Sequence, residues 1–171
     1  INRAAARVLD GLGISLVREH RVQCCGAIPL HLSATDGALD FMRRNIDSWW
    51  PHIEQGIEAI VMTASGCGVT VREYATLLGS DPDYAEKAIK VSSITRDLAE
   101  VVADEALQRT ASPQISRGLD VVFHPPCTLQ HGQKIHGVVE RILQDRGFRV
   151  HPLADAHLCC GSAGTYNLLQ N

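Results

Sequence analysis

Six cysteines carry most of the chemistry that the sequence offers, and four of them stand in adjacent pairs. "VQCCGAIPL" holds Cys24 and Cys25 ahead of Gly26, and "HLCCGSAGTYNLL" holds Cys159 and Cys160 ahead of Gly161. Cys67 lies in "SGCG" beside Gly68, and Cys127 in "PPCT". Thiolates are soft, anionic ligands suited to zinc or iron–sulfur centres. Neighbouring cysteines pair poorly with each other, because a disulfide across one peptide bond is strained. In a regular strand their side chains point to opposite faces, so two sulfurs reach one centre only if the chain turns sharply between them. A following glycine permits that turn by taking positive φ, and it lets the backbone approach a bulky group. Gly26, Gly161 and Gly68 are read as such cofactor-facing glycines.

The two triplets are a repeat. From 24 to 159, and from 25 to 160, is 135 residues. Cys127 precedes the second pair by 32 residues, so its counterpart in the first copy falls roughly eight residues before Ile1. The counterpart of Cys67, which follows Cys25 by 42 residues, falls beyond Asn171. The expected organisation is a first unit over 1–110 without its opening cysteine and a second over 111–171 cut short downstream, both parts of a longer chain.

The elements between the cysteines alternate. Residues 3–12 read as a helix, 14–20 as a strand, 35–50 as an amphipathic helix stopped by Pro51, and 58–64 as a buried strand. A helix over 69–78, a turn over 79–83 and a long helical stretch to about Arg109 follow, then a break at 111–114. Residues 119–124 read as a strand, 128–145 as a helix, 148–153 as a strand, and the segment after Gly161 as a helix start. Strands alternating with helices imply an α/β fold of two pseudo-repeated units, with mostly parallel sheets and flanking helices. In such folds ligands collect in loops beyond the carboxyl ends of strands, and the cysteines fall in or near those loops by this reading.

The remaining features narrow the function. His131, four residues after Cys127, and His124 and His157, close to other cysteines, are read as surface or supporting groups rather than ligands. Trp49 and Trp50 are read as packing residues. No Gly-rich phosphate loop or Ser/His/Asp arrangement is present. The chain has 171 residues, 45% hydrophobic and 20% charged, which suits a globular protein with a sizeable core. A net charge of −3 gives no footprint for nucleic acid. No apolar run reaches the length of a membrane span and no signal peptide opens the chain. Six cysteines without a secretion signal favour a reducing compartment, hence a cytoplasmic protein or one peripheral on the inner face of the cell membrane.

With these residues in view, the chain resembles a known family. A cysteine, then CCG some thirty residues on, then a further cysteine resembles the CCG cysteine-rich domain found in heterodisulfide reductase and in iron–sulfur subunits of respiratory oxidoreductases. The strings "FHPPCTLQHGQKI", "HLCCGSAGTYNLLQ" and "TASGCGVTVREYATLL" are most similar to the glycolate oxidase iron–sulfur subunits. The resemblance implies that Cys127, Cys159 and Cys160 are metal ligands of a second CCG copy, and Cys24, Cys25 and Cys67 of a first. It implies iron–sulfur clusters of [4Fe-4S] type, FAD on partner subunits alone, and electrons passed from those flavin subunits to an acceptor such as quinone. On this view the chain is part of an oxidoreductase complex and not catalytic by itself. One departure stands out: the family's closing C-x-x-C requires a cysteine at position 64, where this chain has Ala64. The first copy then holds a different cluster, holds zinc, or is structural. Ligand type alone does not separate iron from zinc, so a structural zinc-binding interaction module and a heterodisulfide-reductase-like thiol redox subunit remain alternatives.

Overall fold

The computed structural model describes residues 1–107 and 118–161. Helix α1 (Asn2–Gly11) is followed by a non-regular segment, then α2 (Ala27–His31) and α3 (Thr35–Glu54). Strand β1 (Ile60–Met62) leads into α4 (Ser65–Arg72), α5 (Tyr74–Leu77) and α6 (Ala85–Ile94). Strand β2 (Thr95–Asp97) and α7 (Leu98–Leu107) follow. Beyond the undescribed residues come β3 (Asp120–Val122), a π-helical turn (Thr128–Gly132), α8 (Val138–Asp145) and β4 (Arg149–His151). Strands β1 and β2 pair in parallel, as do β3 and β4, which agrees with the α/β expectation.

The main core forms around α3. Ala38, Met42, Ile46 and Trp49 recur at helical spacing and are buried against Ile60, Val71, Tyr74, Leu78, Ala88 and Val91. Trp49 stacks on Tyr74, with ring centroids 6.5 Å apart. Pro51 does not stop α3 as expected, and the helix runs to Glu54. Proline removes one backbone donor, but Ile53 packs against the core, Trp50 Nε1 donates to Glu54 Oε1 at 2.9 Å, and Gly56 ends the helix at φ +91°. A second cluster of Leu9, Leu12 and Val102, joined by Ile14, Val61 and Ile142, packs α1 and α7 against α8.

Three other expectations change. Residues 14–20 form no strand and pair with none of the described strands; Leu16 and Val17 are exposed, and Glu19 instead binds Arg21 and His52. The stretch expected to be one long helix up to about residue 109 is split by β2. Thr95 is buried, and Asp97 starts α7 with a capping box: its Oδ1 accepts from Ala99 N at 2.9 Å while Glu100 Oε2 accepts from Asp97 N at 2.8 Å. The expected helix over 128–145 breaks after the π turn, where Lys134 and Gly137 take positive φ and Ile135 turns inward. The break expected at 111–114 and the helix expected after Gly161 lie outside the described residues.

A close seam joins α4 to the π turn. The Ser65 and Thr128 hydroxyls hydrogen-bond at 2.7 Å, and Gln133 Nε2 donates to Ser65 O at 3.1 Å and to Asp97 Oδ2 at 3.3 Å. Each side offers a glycine to the other. A Cβ on Gly68 would sit 2.8 Å from Gln133 Nε2, and one on Gly132 would sit 2.5 Å from Val69 Cγ2. Val69 is β-branched and stiff at χ1, so it yields little. Gly132→Ala is therefore expected to lower unfolding stability by about 1–3 kcal/mol in urea titration through overpacking. The same change at Gly37, in the first turn of α3 with open space around its Cβ, is expected to raise stability by about 0.4–1 kcal/mol. A neutral result at Gly132 would mean that the seam is loose.

Candidate metal centre

The first cysteine group is built from two separate segments. Cys24 and Cys25 lie just before α2, and Gly26 turns the chain at φ +88°. A side chain at that position would meet Ala38 O at 2.9 Å, so glycine is required by both conformation and space. Cys67 sits in the first turn of α4, five residues past the end of β1. Ala64, at the position where the family pattern requires a cysteine, caps this helix by accepting from Gly68 N at 2.9 Å.

These elements bring the Cys25 and Cys67 thiols against each other, with Cys24 acting on them from the surface. Cys25 is buried, Cys67 half-buried and Cys24 exposed, and none is in a disulfide. The Cys25 thiol hydrogen-bonds Cys67 and also interacts with Cys24. Donation to Cys67, together with burial, pushes the Cys25 thiol well up from its usual range. Receiving that hydrogen bond brings Cys67 down to about 7, against the opposing effects of burial and of Cys24. A depressed thiol is the form in which sulfur binds metal or attacks.

Two fully buried polar side chains hold this loop. Asn45 Oδ1 accepts from Gln23 N at 2.9 Å, and Asn45 Nδ2 donates to Cys24 O at 2.9 Å. Tyr74 Oη donates to Cys25 O at 2.8 Å and receives a longer bond from Asn45 Nδ2 at 3.3 Å. Burial raises the Tyr74 hydroxyl, which stays protonated and a donor. Neither residue stands out in the sequence reading. The available signal was polar Asn45 inside the apolar stripe of α3.

The second group is held differently. Cys127 caps the π turn five residues beyond the end of β3 and is half-buried; Cys159 and Cys160 are exposed after β4, ahead of Gly161 at φ +81°. Three side chains around Cys127 hold three successive carbonyls just before Cys159. Gln130 Nε2 donates to Ala156 O at 2.8 Å, and also to Pro125 O at 3.1 Å. His131 Nε2 meets His157 O at 3.0 Å, and His124 Nε2 meets Leu158 O at 3.3 Å. These bonds engage His124 and His131 through Nε2 with backbone. Gly68, expected to face a cofactor, is buried in α4 against Gln133.

Among the described residues no three His, Cys, Asp or Glu side chains close on a single ion. The donor chemistry nonetheless fits a soft, sulfur-held centre: Cys25 and Cys67 respond to each other and to Cys24. No helix among the described residues is long and apolar enough to cross a membrane.

Two adjacent thiol pairs, each followed by a positive-φ glycine, define a cysteine-rich ligand domain. Residues 1–72 and 121–171 match the CCG cysteine-rich domain family, and the chain belongs to it. It is 50% identical over 167 residues to the glycolate oxidase iron–sulfur subunit of Escherichia coli K12, covering 98% of this chain and 40% of that protein. A probable glycolate oxidase iron–sulfur subunit of Bacillus subtilis 168 is 26% identical over 177 residues, 99% of this chain and 37% of that protein. Lactate utilization protein A of Bacillus cereus AH187 is 24% identical over 172 residues, 98% of this chain and 68% of that protein. The chain thus spans about two fifths of the length of the glycolate oxidase subunits it matches.

The thiol contact has a measurable consequence. In metal-free protein, alkylation of Cys67 should rise through a midpoint near pH 7, being slow at pH 6 and close to its plateau at pH 8. Cys25→Ala removes the donor and should return the midpoint toward the ordinary thiol range near pH 8.5. A wild-type midpoint already at 8.5, read by mass spectrometry of the Cys67 peptide, would rule out the contact.

Proposed function

We propose that this chain is the electron-carrying part of the iron–sulfur subunit of a flavin-dependent glycolate, or related 2-hydroxy-acid, oxidase complex. The observation that carries the reading is the 50% identity to the Escherichia coli protein across 98% of the chain. The interacting Cys25 and Cys67 thiols support it, because they supply soft anionic ligands. In this reading Cys24, Cys25 and Cys67 belong to one unit, over 1–110, and Cys127, Cys159 and Cys160 to a second, over 111–171. The group bound is an iron–sulfur cluster, of [4Fe-4S] type, which when bound stores and releases single electrons.

The chain's own residues prepare for that group. Cys25 and Cys67 share a hydrogen bond that favours a thiolate near neutral pH. Gly26 and Gly161 turn the chain directly after each pair. Gln130, His131 and His124 keep the Cys159 segment beside Cys127. FAD sits on a partner subunit, and substrate oxidation takes place there. A quinone serves as acceptor, with the complex in the cytoplasm or peripheral at the inner face of the membrane.

The test is anaerobic purification of the full chain with its partners, followed by metal and sulfide analysis and paramagnetic resonance. Iron with acid-labile sulfide is expected. Stoichiometric zinc would replace this reading with a structural module, and metal-free protein with redox-active thiols would replace it with thiol–disulfide chemistry. Cys159→Ser should impair electron delivery to the natural acceptor at least tenfold. Glycolate oxidation with an artificial acceptor should fall less than twofold, whereas equal loss of both activities would exclude a relay role.

A further inference from the structure

Beside the first cysteine pair lies a polar network that the ligand set does not use. Gln23 N, Cys24 O and Cys25 O belong to three consecutive residues, and each is bound by Asn45 or Tyr74. Asn45 is 1% exposed and Tyr74 0%, so no water competes for these bonds. Asn45 comes from α3, and Tyr74 from the helix that follows the Cys67 helix at once. Ring stacking on Trp49 fixes the tyrosine, and the asparagine also reaches its hydroxyl. Bonds to two successive carbonyls fix the peptide planes of both cysteines. That determines which way each thiol leaves the backbone: Cys24 to the surface and Cys25 inward onto Cys67. Hydrophobic packing alone does not select that division, because both side chains are thiols of the same size.

We propose that Asn45 and Tyr74 are positioning residues for the Cys24–Cys25 pair, holding its backbone so that Cys25 is presented to Cys67 while Cys24 stays accessible. This role extends the proposed function, in which these thiols are ligands, but its first test does not depend on that function. The two side chains act through backbone groups, so any soft centre held by these sulfurs inherits the arrangement.

The variants are Tyr74→Phe, which deletes one hydroxyl and keeps the stacked ring, and Asn45→Ala. Ser92→Ala is the control. Ser92 Oγ accepts from Ala75 N at 3.0 Å and donates to Val71 O at 3.1 Å, in the same core but without touching either cysteine loop. The full chain, stripped of metal under reducing conditions, is alkylated, and each cysteine is followed by mass spectrometry with Tm recorded in parallel. In wild type, Cys24 should react at least tenfold faster than Cys25. In Tyr74→Phe that ratio should fall at least fivefold, and further in Asn45→Ala, while Ser92→Ala keeps it within twofold even where its Tm falls equally.

A second measurement uses protein reconstituted with iron and sulfide. The resonance line shape or metal content of Tyr74→Phe should change while Ser92→Ala matches wild type. Should Asn45→Ala not fold, Tyr74→Phe decides alone; its ring packing is intact. If Tyr74→Phe leaves the Cys24 to Cys25 ratio within twofold of wild type, the positioning role is overturned. If the ratio collapses but no iron binds to wild type, positioning stands and the iron–sulfur reading falls.

Discussion

The cysteine-bearing end of this protein depends on how closely α4 and the π turn can approach. Two glycines, Gly68 and Gly132, make that approach possible by exchanging space: one receives the Gln133 amide and the other the Val69 methyl groups. Once the surfaces touch, the Ser65 and Thr128 hydroxyls close the gap, and Gln133 ties the helix start to buried Asp97. Cys67 is two residues from the first hydroxyl and Cys127 is next to the second, so the contact that joins the two halves also brings their cysteine segments together. A larger side chain at either glycine would separate the halves at the place where the chemistry is concentrated.

Within that frame the two cysteine pairs are held by opposite strategies. The first pair is anchored from beneath: its carbonyls reach into the core and meet groups that are sealed from water. Burial makes such bonds costly to break, because a freed buried carbonyl has nothing to replace its partner. The second pair is tethered from the side, by Gln130 and two imidazoles on the Cys127 segment. The imidazole bonds lie nearer the surface, and water can substitute for them. The first group is thus the more rigid of the two, and one of its thiols is enclosed.

Part of this arrangement was legible in the sequence. The recurrence of Ala38, Met42, Ile46 and Trp49 announces α3, and the alternation of short apolar runs with helices announces parallel pairing. The glycines after each cysteine pair read as turns, and Gly26 and Gly161 do take positive φ. The failures share a cause, which is contact with distant residues. Residues 14–20 carry a strand-like pattern but pair with none of the described strands, and Glu19 is drawn instead to Arg21 and His52. Thr95–Asp97 looks like mid-helix until β1 offers a partner, although the Asp97 and Glu100 spacing was a capping signal in plain view. Pro51 reads as a stop, and Ile53 packing overrides it. Asn45 and Tyr74 lie 21 to 49 residues from the loop they hold, a separation over which local pattern carries no information.

The strands themselves are only three residues long. Each ladder adds few backbone bonds, and bringing Ile60 to Thr95 closes a long loop before any of them forms. The sheets therefore act as short direction markers on a frame of helices. By optical spectroscopy the helices would dominate the regular signal of the described residues, and the two parallel pairs would contribute almost nothing to it.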